Sequence, residues 1–360
     1  MSERIGIVTG GGDCPGLNAV IRAVAKASAK RGWETIGFLG GYEGILDPQH
    51  YLLLEYEKLG GLLTRGGTIL GTANRGRFSA KVGHGEVRQL PAELIDGVMA
   101  GMHKLNIRGL VAIGGDGSLS IAQQLFEGGV PLVGVPKTID NDLHGTAMTF
   151  GFDSAVACAT DALDRLHTTA ESHRRVMVLE VMGRYAGWIA LYAGVAGGAD
   201  VILIPEIPFT YDSICAKIEE RERSGKPFTL IAVAEGARVK GGEFVTSAAQ
   251  PDNREARLGG VGAVVAAEVE RRTGKESRLC VLGHLQRGGT PTNFDRALCS
   301  MFGAEAVELL AAGEYGRMVS FGDGQVTATR IQDAVGRLKT VPLDGRLLRT
   351  ARALGISVGD

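Results

Sequence analysis

Short apolar runs alternate with longer helical patterns along almost the whole chain. The first run, Ile5–Thr9, is followed by a helical pattern near Asn18–Lys30 and a second run at Glu34–Leu39. The alternation continues at Leu110–Ile113, Ser118–Phe126, Pro131–Val135, Asp153–Ala170, Val176–Glu180, Gly187–Ala196, Val201–Ile204, Tyr211–Arg223, Thr229–Ala234, Val261–Arg272, Arg278–Leu282 and Phe294–Ala312. Because strands joined through helices pair in parallel, this order predicts an α/β fold with mainly parallel sheets.

The length of the chain bounds the number of cores that it can form. With 360 residues it exceeds one typical core and fits about two domains. No Pro- or Ser-rich linker divides it, so we expect two closely joined, doubly wound domains. The spacing of successive apolar runs is too irregular for a repeat solenoid.

Charge and cysteine content exclude several classes of protein. Lys and Arg number 39 and Asp and Glu number 40, so the formal net charge is −1 and no overall field attracts nucleic acid or an anionic membrane. No apolar run reaches the roughly 18 residues of a membrane span, and the short run after Arg4 does not match a signal peptide. Five scattered cysteines without C-x-x-C spacing indicate reduced thiols. We therefore expect a cytoplasmic protein that binds neither nucleic acid nor membrane.

Two aspartates follow the strand predicted at Pro131–Val135. They lie in the run Pro136-Lys137-Thr138-Ile139-Asp140-Asn141-Asp142, beside a lysine and a hydroxyl group. Open parallel sheets bind ligands at the carboxyl ends of their strands, and paired carboxylates there suit proton abstraction and metal-assisted phosphate chemistry. A polar turn with an Asx cap has the same composition, so this run alone leaves both interpretations open.

Two glycine-rich loops each join an apolar run to a helical pattern. Gly10–Asn18 follows the first run, and Gly114-Gly115-Asp116-Gly117-Ser118 follows Leu110–Ile113. Glycines there let backbone N–H groups face a phosphate at a helix N-terminus, and an aspartate among them can bind Mg²⁺. The first loop has neither dinucleotide-binding nor P-loop spacing. A plain tight turn is the alternative for the first loop. The second also resembles lipid and NAD kinases, so it indicates phosphoryl transfer without fixing the substrate.

Arginine and histidine recur beside the predicted strands. Ser172–Arg175 precedes one strand, Gly183–Arg184 follows that strand, and His284–Gly289 follows another. Guanidinium groups at a sheet edge can hold a phosphate dianion through paired hydrogen bonds. Each cluster alone could equally form a surface ion pair. Together, at the carboxyl edges of strands in a nearly neutral protein, they indicate an anion site.

Taken in combination, these motifs resemble the family of ATP-dependent 6-phosphofructokinases. The resemblance runs from Ile5 to about Leu348. The motifs that carry it are Gly11-Gly12-Asp13-x-Pro15-Gly16-x-Asn18, Gly114-Gly115-Asp116-Gly117-Ser118, Thr138-Ile139-Asp140-Asn141-Asp142, Met182-Gly183-Arg184 and Gly283-His284-x-Gln286-Arg287-Gly288-Gly289. The resemblance implies a glycolytic, Mg²⁺-dependent kinase that transfers the γ-phosphoryl of ATP to the 1-hydroxyl of fructose 6-phosphate.

The resemblance also implies a role for each matching residue around the donor. Asp140 would take the proton from the sugar hydroxyl, supported by Thr138 and Asp142. Asp116 and Asp142 would be the metal ligands. The implied nucleotide contacts are Gly12, Gly115, Asp116, Gly117 and Ser118.

A second implied set holds the sugar phosphate. Within one subunit it comprises Thr138, Asp140, Met182, Gly183, Arg184, Glu235, His284 and Arg287, with Arg184 also acting in catalysis. In the family two further arginines reach the phosphate from a neighbouring subunit, and Arg175 and Arg278 match them. The resemblance therefore implies a homotetramer or homodimer with shared active sites. It further implies a nucleotide-binding domain (1–151 and about 287–337) and a sugar-phosphate-binding domain (about 152–286 and 338–360).

Two positions bear on the phosphoryl donor. Pyrophosphate-dependent relatives carry a carboxylate where this chain has Gly117, which would crowd the α-phosphate of ATP. They carry a lysine at the position of Lys137, where many ATP-dependent enzymes have glycine. The combination resembles the mixed-substrate branch of the family, and Gly117 favours ATP because a side chain there blocks ATP sterically. The alternatives are a pyrophosphate-dependent phosphofructokinase and a non-catalytic regulatory paralogue.

Two further departures from the family pattern affect catalysis and regulation. Bacterial relatives place an arginine at the position of Asn74 to stabilise the transferring phosphoryl group. Arg75 or Arg77 must substitute, and we assign that role, with donor binding, to Arg75. In the effector site of regulated relatives, Arg22 and Lys26 stay in register. Basic residues are replaced at Tyr56, His167, Ser224 and Phe228. We expect a weak or altered response to ADP and phosphoenolpyruvate.

Overall fold

The computed structural model describes residues 3–47, 49–73, 76–78, 89–248 and 257–360. Its strands are β1 (Arg4–Thr9), β2 (Glu34–Phe38), β3 (Tyr51–Leu53), β4 (Ile107–Gly114), β5 (Leu132–Pro136), β6 (Val176–Val181), β7 (Val201–Leu203), β8 (Thr229–Ala234), β9 (Thr246–Ala248), β10 (Arg257–Leu258), β11 (Ser277–Val281), β12 (Arg317–Gly322) and β13 (Gln325–Arg330). Its α-helices are α1 (Leu17–Lys30), α2 (Glu43–Leu46), α3 (Ala92–Lys104), α4 (Asp116–Glu127), α5 (Phe152–His173), α6 (Trp188–Ala196), α7 (Tyr211–Arg223), α8 (Val261–Thr273), α9 (Asn293–Ala312), α10 (Ile331–Ala334) and α11 (Arg346–Ala353).

The chain divides into two compact units. Unit 1 comprises Met1–Ser154 and Arg287–Leu338, and unit 2 comprises Ala155–Gln286 and Lys339–Asp360. The chain therefore passes from one unit to the other three times, and α5 begins in unit 1 and continues into unit 2.

Unit 1 is built on a seven-stranded sheet of order β13-β12-β5-β4-β1-β2-β3. The five inner strands run parallel, whereas β13 and β3 pair antiparallel at the two edges. Every residue of β5 is buried, as expected of a parallel strand covered on both faces. The parallel order brings the carboxyl ends of β1, β4 and β5 to one edge of the sheet.

Unit 2 contains a four-stranded parallel sheet of order β11-β6-β8-β7. Every residue of β8 is buried, while β11 is an edge strand with exposed Leu279 and Val281. A short antiparallel pair, β9 with β10, lies apart from this sheet. The parallel order places the chain segments after β6, β8 and β11 next to one another.

The prediction of an α/β fold with mainly parallel sheets is confirmed. The structure adds elements that the apolar pattern did not predict. They are α2, α3, α10 and α11, the short strands β3, β9 and β10, and the β12–β13 hairpin. These elements are short, polar on one face or interrupted by glycine, so they lack a clear periodic signal.

Candidate active site

Three loops of unit 1 leave neighbouring parallel strands at the same edge of the sheet. β1 leads into the first glycine-rich loop, β4 into Gly115–Ser118, and β5 into Lys137–Asp142. Backbone bonds join them, since Gly10 N donates to Ile113 O (2.9 Å) and Lys137 N donates to Gly114 O (2.9 Å). The structure thus brings together the unit 1 residues that the motifs singled out.

The second glycine loop forms the start of α4. Asp116 is the first residue of the helix, and Gly117 and Ser118 complete its first turn. The first N–H groups of a helix lack intrahelical partners and carry positive partial charge, which suits a phosphate. Asp116 Oδ1 accepts a bond from Gly336 N (2.8 Å), and burial raises the pKa of Asp116. This carboxylate is oriented before any ligand binds.

Lys137 is buried against the first glycine loop, with 4% of its surface exposed. Its Nζ donates to Gly12 O, and burial lowers the pKa of its ammonium group, while the nearby carboxylates of Asp13 and Asp140 act in the opposite direction. Arg287 Nη1 reaches the same loop, where it donates to Asp13 O (3.2 Å). Two cationic side chains therefore flank Gly12.

The loop after β5 holds Thr138, Asp140 and Asp142 in a compact turn. Asp140 N donates to Thr138 Oγ1 (3.2 Å), which in turn donates to Asp142 Oδ1 (3.3 Å). Asn141 lies between the aspartates with a φ of 49°. Its side chain fixes the turn by donating to Ala147 O (3.2 Å) and accepting from Thr149 N (3.0 Å).

Burial and mutual repulsion set the charge of this loop. Burial first, and then the charges of Asp140 and Asp116, raise the pKa of Asp142 to about 7. In contrast, the Thr138 hydroxyl and the backbone N–H of Asp142 favour the ionised form. Two other carboxylates lie close enough to Asp142 to oppose its ionisation. A bound cation would relieve that repulsion.

The donor set fits Mg²⁺. This ion binds through one or two carboxylates together with water and substrate phosphates, rather than through an all-protein cage. Among the residues that the structure describes, no group of three or more His, Cys, Asp or Glu side chains is arranged to hold a metal by itself. Asp116 and Asp142 with a nucleotide phosphate would satisfy the requirement.

The predicted catalytic arginine, Arg75, lies outside the described residues. The nearby Arg77 forms an ion pair with Glu43 (2.7 Å), and its backbone N–H donates to Glu43 Oε1 (2.6 Å). Arg77 is thus engaged in unit 1 by a side chain of α2.

In unit 2, three candidate segments follow three neighbouring strands. Met182–Arg184 follows β6, Glu235 follows β8, and His284 follows β11. Glu235 N donates to Val181 O (2.9 Å) and Gly236 N donates to Gly183 O (3.2 Å). Adjacent strand ends therefore place these residues at one edge of the unit 2 sheet.

Sequence reasoning did not single out two side chains that support these segments. Gln286 is 1% exposed and its Oε1 accepts from Met182 N (2.8 Å), which fixes the start of Met182–Arg184. Asn141 fixes the Asp140 turn. The signal for Asn141 was available, because asparagine between two aspartates is the residue type that tolerates positive φ. Nothing in the sequence distinguishes Gln286 as a backbone acceptor.

The position inferred for the Ser172–Arg175 cluster is wrong. Arg175 directly precedes β6 and therefore lies at the amino edge of the sheet, not the carboxyl edge. Arg278, on the neighbouring β11, lies at the same amino edge, and both arginines form ion pairs with Glu276. A cluster that precedes a parallel strand cannot reach the edge where that strand ends.

Comparison with known proteins bears on this arrangement. Residues 4–310 match the family model described as Phosphofructokinase. The chain belongs to the phosphofructokinase family. The protein of Chloroflexus aggregans named ATP-dependent 6-phosphofructokinase is 50% identical over 358 residues, which cover 99% of this chain and 98% of that protein. ATP-dependent 6-phosphofructokinase 1 of Synechocystis sp. is 48% identical over 362 residues, covering 99% of each chain.

Solved phosphofructokinase structures share the fold. The Saccharomyces cerevisiae phosphofructokinase matches with a TM-score of 0.78 and 29% identity, covering 92% of this chain and 45% of the yeast chain. The pyrophosphate-dependent phosphofructokinase of Nitrosospira multiformis matches with a TM-score of 0.82 and 22% identity, covering 100% of this chain and 93% of that chain. A structure named for pyrophosphate shares the fold of this chain, whose sequence relatives are named for ATP, so the fold does not identify the donor.

No helix in the described part of the chain combines the length and the apolar character that a bilayer crossing requires.

Proposed function

We propose that this phosphofructokinase transfers the γ-phosphoryl of ATP to the 1-hydroxyl of fructose 6-phosphate, giving fructose 1,6-bisphosphate and ADP in glycolysis. The observation that carries this proposal is the full-length similarity, about 50% identical, to proteins named ATP-dependent 6-phosphofructokinase. The intact carboxylate loop supports an active enzyme rather than a non-catalytic paralogue, which would not need to keep both Asp116 and Asp140.

In this proposal Asp140 is the general base. A primary alcohol is a weak nucleophile, and a carboxylate within hydrogen-bond reach accelerates its attack by about 10²–10⁴. Thr138 accepts from Asp140 N and donates to Asp142, so it holds both aspartates in one turn. The charge of Asp140 raises the pKa of Asp142, so a cation bound at Asp142 would allow both groups to carry charge.

Asp116 and Asp142 would hold Mg²⁺. When bound, the ion neutralises charge on the donor phosphates and supports in-line transfer. The N-terminal turn of α4, with Gly115, Gly117 and Ser118, would bind the same phosphates through backbone N–H groups. Gly12 would line the same phosphates, with Lys137 and the Arg287 guanidinium beside it on the first glycine loop. We also assign phosphoryl stabilisation to Arg75.

Unit 1 would therefore be the nucleotide-binding domain and unit 2 the sugar-phosphate-binding domain. The unit 2 residues proposed to hold fructose 6-phosphate are Met182, Gly183, Arg184, Glu235 and His284. They suit that substrate because a guanidinium and an imidazole can bind its phosphate, while a carboxylate and backbone carbonyl groups can accept hydrogen bonds from its hydroxyl groups.

Arg175 and Arg278 would complete the sugar-phosphate site of a second copy. Within one unit 2 sheet, Arg175 precedes β6 and Arg184 follows it, so the six strand residues separate the ends of this segment by roughly 20 Å. One chain therefore does not place both arginines on one phosphate. A homotetramer or homodimer with shared active sites accounts for both, and we propose such an assembly in the cytoplasm.

The second candidate is a pyrophosphate-dependent phosphofructokinase, which Lys137 favours. In the structure the ammonium group of Lys137 donates to Gly12 O and is nearly buried. It already has a backbone acceptor, so its presence does not require a pyrophosphate ligand. Gly117, in contrast, leaves the first turn of α4 without a side chain at the position that would crowd ATP.

The proposal is tested by paired assays of the full-length protein with ATP and with pyrophosphate as donor. We expect ATP to support turnover with the higher kcat/KM; a higher kcat/KM with pyrophosphate would reverse the assignment. Gly117→Asp should lower kcat/KM for ATP by at least about tenfold through steric exclusion. Aspartate is favourable in the first turn of a helix, so this variant should fold.

A further inference from the structure

A cavity of about 360 Å³ lies on unit 1, at the edge of the sheet opposite the glycine-rich loops. It is formed where β12 begins at Arg317 and β13 ends at Arg330. Phe126, near the end of α4, also lines it, whereas Asp116 begins that helix. Ten residues of helix separate Phe126 from Asp116 by about 15 Å. The cavity is therefore separate from the proposed nucleotide site.

Two arginines lie side by side in the lining of this cavity. Arg317 and Arg330 are directly opposite in the antiparallel β12–β13 pair. Like charges in such a pair destabilise a sheet. Arg317 is balanced by Glu314, with 2.9 Å between Nε and Oε2. The side chain of Arg330 has no ion pair or hydrogen bond with any residue in the described part of the chain. The cavity thus carries positive charge that the fold does not compensate.

An aromatic wall stands beside the arginine pair. The Phe126 ring is 37% exposed and packs on Gly316, where an added Cβ would lie 2.3 Å from a ring carbon. Gly316 also has a φ of 72°, so both its backbone and its lack of a side chain allow this contact. Tyr315 lines the same cavity. Flat aromatic faces next to guanidinium groups suit a planar ligand that carries negative charge.

Three carbonyl groups at the end of α4, which would otherwise repel an anion, are hydrogen-bonded. Gly128 N donates to Gln124 O (3.0 Å), Gly129 N to Phe126 O (2.9 Å) and Val130 N to Leu125 O (2.9 Å). These are three of the four carbonyls that a helix end leaves unpaired. Their bonds reduce the negative potential there, and Arg330, beside the Arg317–Glu314 pair, gives the cavity its uncompensated charge.

We propose that this cavity binds a small phosphate monoester that carries a planar ring. The phosphate dianion would lie between Arg317 and Arg330 and accept paired guanidinium hydrogen bonds. The ring would stack on Phe126. Binding of such a dianion offsets the repulsion between the paired arginines, because the ligand places negative charge next to both guanidinium groups.

Phenyl phosphate is the probe that tests this site, titrated calorimetrically into the full-length protein. Saturating fructose 6-phosphate and a non-hydrolysable ATP analogue keep the catalytic site filled. We expect saturable binding that Arg330→Ala weakens about tenfold, the loss of one charge-assisted contact. Arg349→Ala removes an equally exposed arginine from unit 2 and should leave the affinity unchanged. Absence of saturable heat, or equal affinity in the two variants, would overturn the proposal.

The ring contact has its own comparison. Phenyl phosphate should bind the unaltered protein several-fold more tightly than methyl phosphate, because stacking on an aromatic face adds to the charge contact. Phe126→Ala should abolish that preference while keeping methyl phosphate binding. Both altered side chains are exposed, so the variants should fold, and a circular dichroism melt confirms that they do. A preference for phenyl phosphate that survives Phe126→Ala contradicts the proposed ring position.

Discussion

At Asp142 the fold holds a carboxyl group where burial and the charge of Asp140 both oppose ionisation, which raises its pKa to about 7. Asp140, two residues away, shares the turn through Thr138. A strained charge balance of this kind is common where a site awaits a cation or a charged substrate. We therefore assign different roles to the two aspartates: Asp140 is the proposed base and Asp142 a proposed metal ligand.

Replacing Asp140 by asparagine tests the base. Asp140→Asn should lower kcat about 10²–10⁴-fold with little change in the KM of either substrate, because an amide keeps the size of the side chain but accepts no proton. Steady-state assays over both substrates give the two constants. Asp323→Asn is a suitable control, since Asp323 lies in the β12–β13 turn with a φ of 50° that asparagine also tolerates. Near-normal kcat in Asp140→Asn would remove the base assignment.

Asp142→Asn should have opposite effects on activity and stability. The folded-state pKa of about 7 exceeds the unfolded value of 3.8. The contribution of Asp142 to stability is therefore complete below about pH 4 and is lost as the pH rises through 7. Removing the charge should raise the free energy of unfolding at pH 8 by about 4 kcal/mol, because the folded and unfolded pKa values differ by about three units.

The gain should shrink towards pH 5 and should be smaller with Mg²⁺ and nucleotide present, while turnover falls. Denaturant unfolding at pH 5 and pH 8 measures the difference. A stability gain that does not change with pH would show that Asp142 does not titrate in this range.

At the scale of elements, the helix starts of unit 1 are joined by a buried polar network. Asp295, near the start of α9, accepts from Ser154 N (2.9 Å) and Ser154 Oγ (2.6 Å) at the start of α5. Thr292 N donates to Ser154 Oγ (3.1 Å), so the serine side chain bonds both helices. Burial raises the pKa of Asp295 to about 6 despite these bonds.

Ser154→Ala should lower the free energy of unfolding by about 1–3 kcal/mol, because it leaves a buried carboxylate with one donor fewer. Ser300→Ala is the matched control. Ser300 lies on α9 and its hydroxyl donates only to Arg296 O one turn earlier, so its loss should have little effect. Urea unfolding of both variants compares them. Equal destabilisation would mean that the network adds nothing beyond a local helix contact.

Sequence reasoning located most elements of the sheets because their strands are buried on both faces. β5 and β8 are continuous apolar runs, and such runs need no tertiary information to be recognised. α3 was missed because Gly97 and Gly101 interrupt its pattern, although both let it approach α2 closely. The β12–β13 hairpin was missed because it alternates polar residues at a sheet edge. The sequence motifs identified the candidate residues. The edge of the sheet at which Arg175 lies could be assigned only from the direction of β6, which Arg175 precedes.

At the scale of the molecule, regulation can be compared with relatives that respond to effectors. In unit 2, the Phe228 ring contacts His167 edge-on at 5.1 Å between centroids. In unit 1, Lys26 Nζ lies 3.7 Å from the centroid of the Tyr56 ring. Lys26, which keeps its charge, is thus covered by an aromatic ring, and an aromatic residue stands where regulated relatives have a basic one at Phe228, so these positions offer an anion fewer cationic groups.

We therefore expect ADP and phosphoenolpyruvate to change the KM for fructose 6-phosphate by less than about fivefold, the lower end of typical allosteric coupling. Initial-rate titrations at fixed ATP measure the effect of each compound. Strong inhibition by phosphoenolpyruvate that ADP relieves would show that the replaced residues are not required for effector binding.

The proposed sharing of active sites between copies is tested by mixing two inactive variants. Asp140→Asn keeps Arg175 and Arg278, whereas Arg175→Ala/Arg278→Ala keeps Asp140. If each site takes its base from one copy and these arginines from another, random co-assembly should restore about a quarter of wild-type activity. Co-expression at equal levels gives this random population, and different affinity tags on the two variants then isolate the mixed oligomers, whose specific activity should be higher still. Asp140→Asn mixed with an Asp140→Asn/Arg175→Ala variant should stay inactive. No recovery in the first mixture would place the whole site on one chain, which the roughly 20 Å between the two ends of β6 opposes.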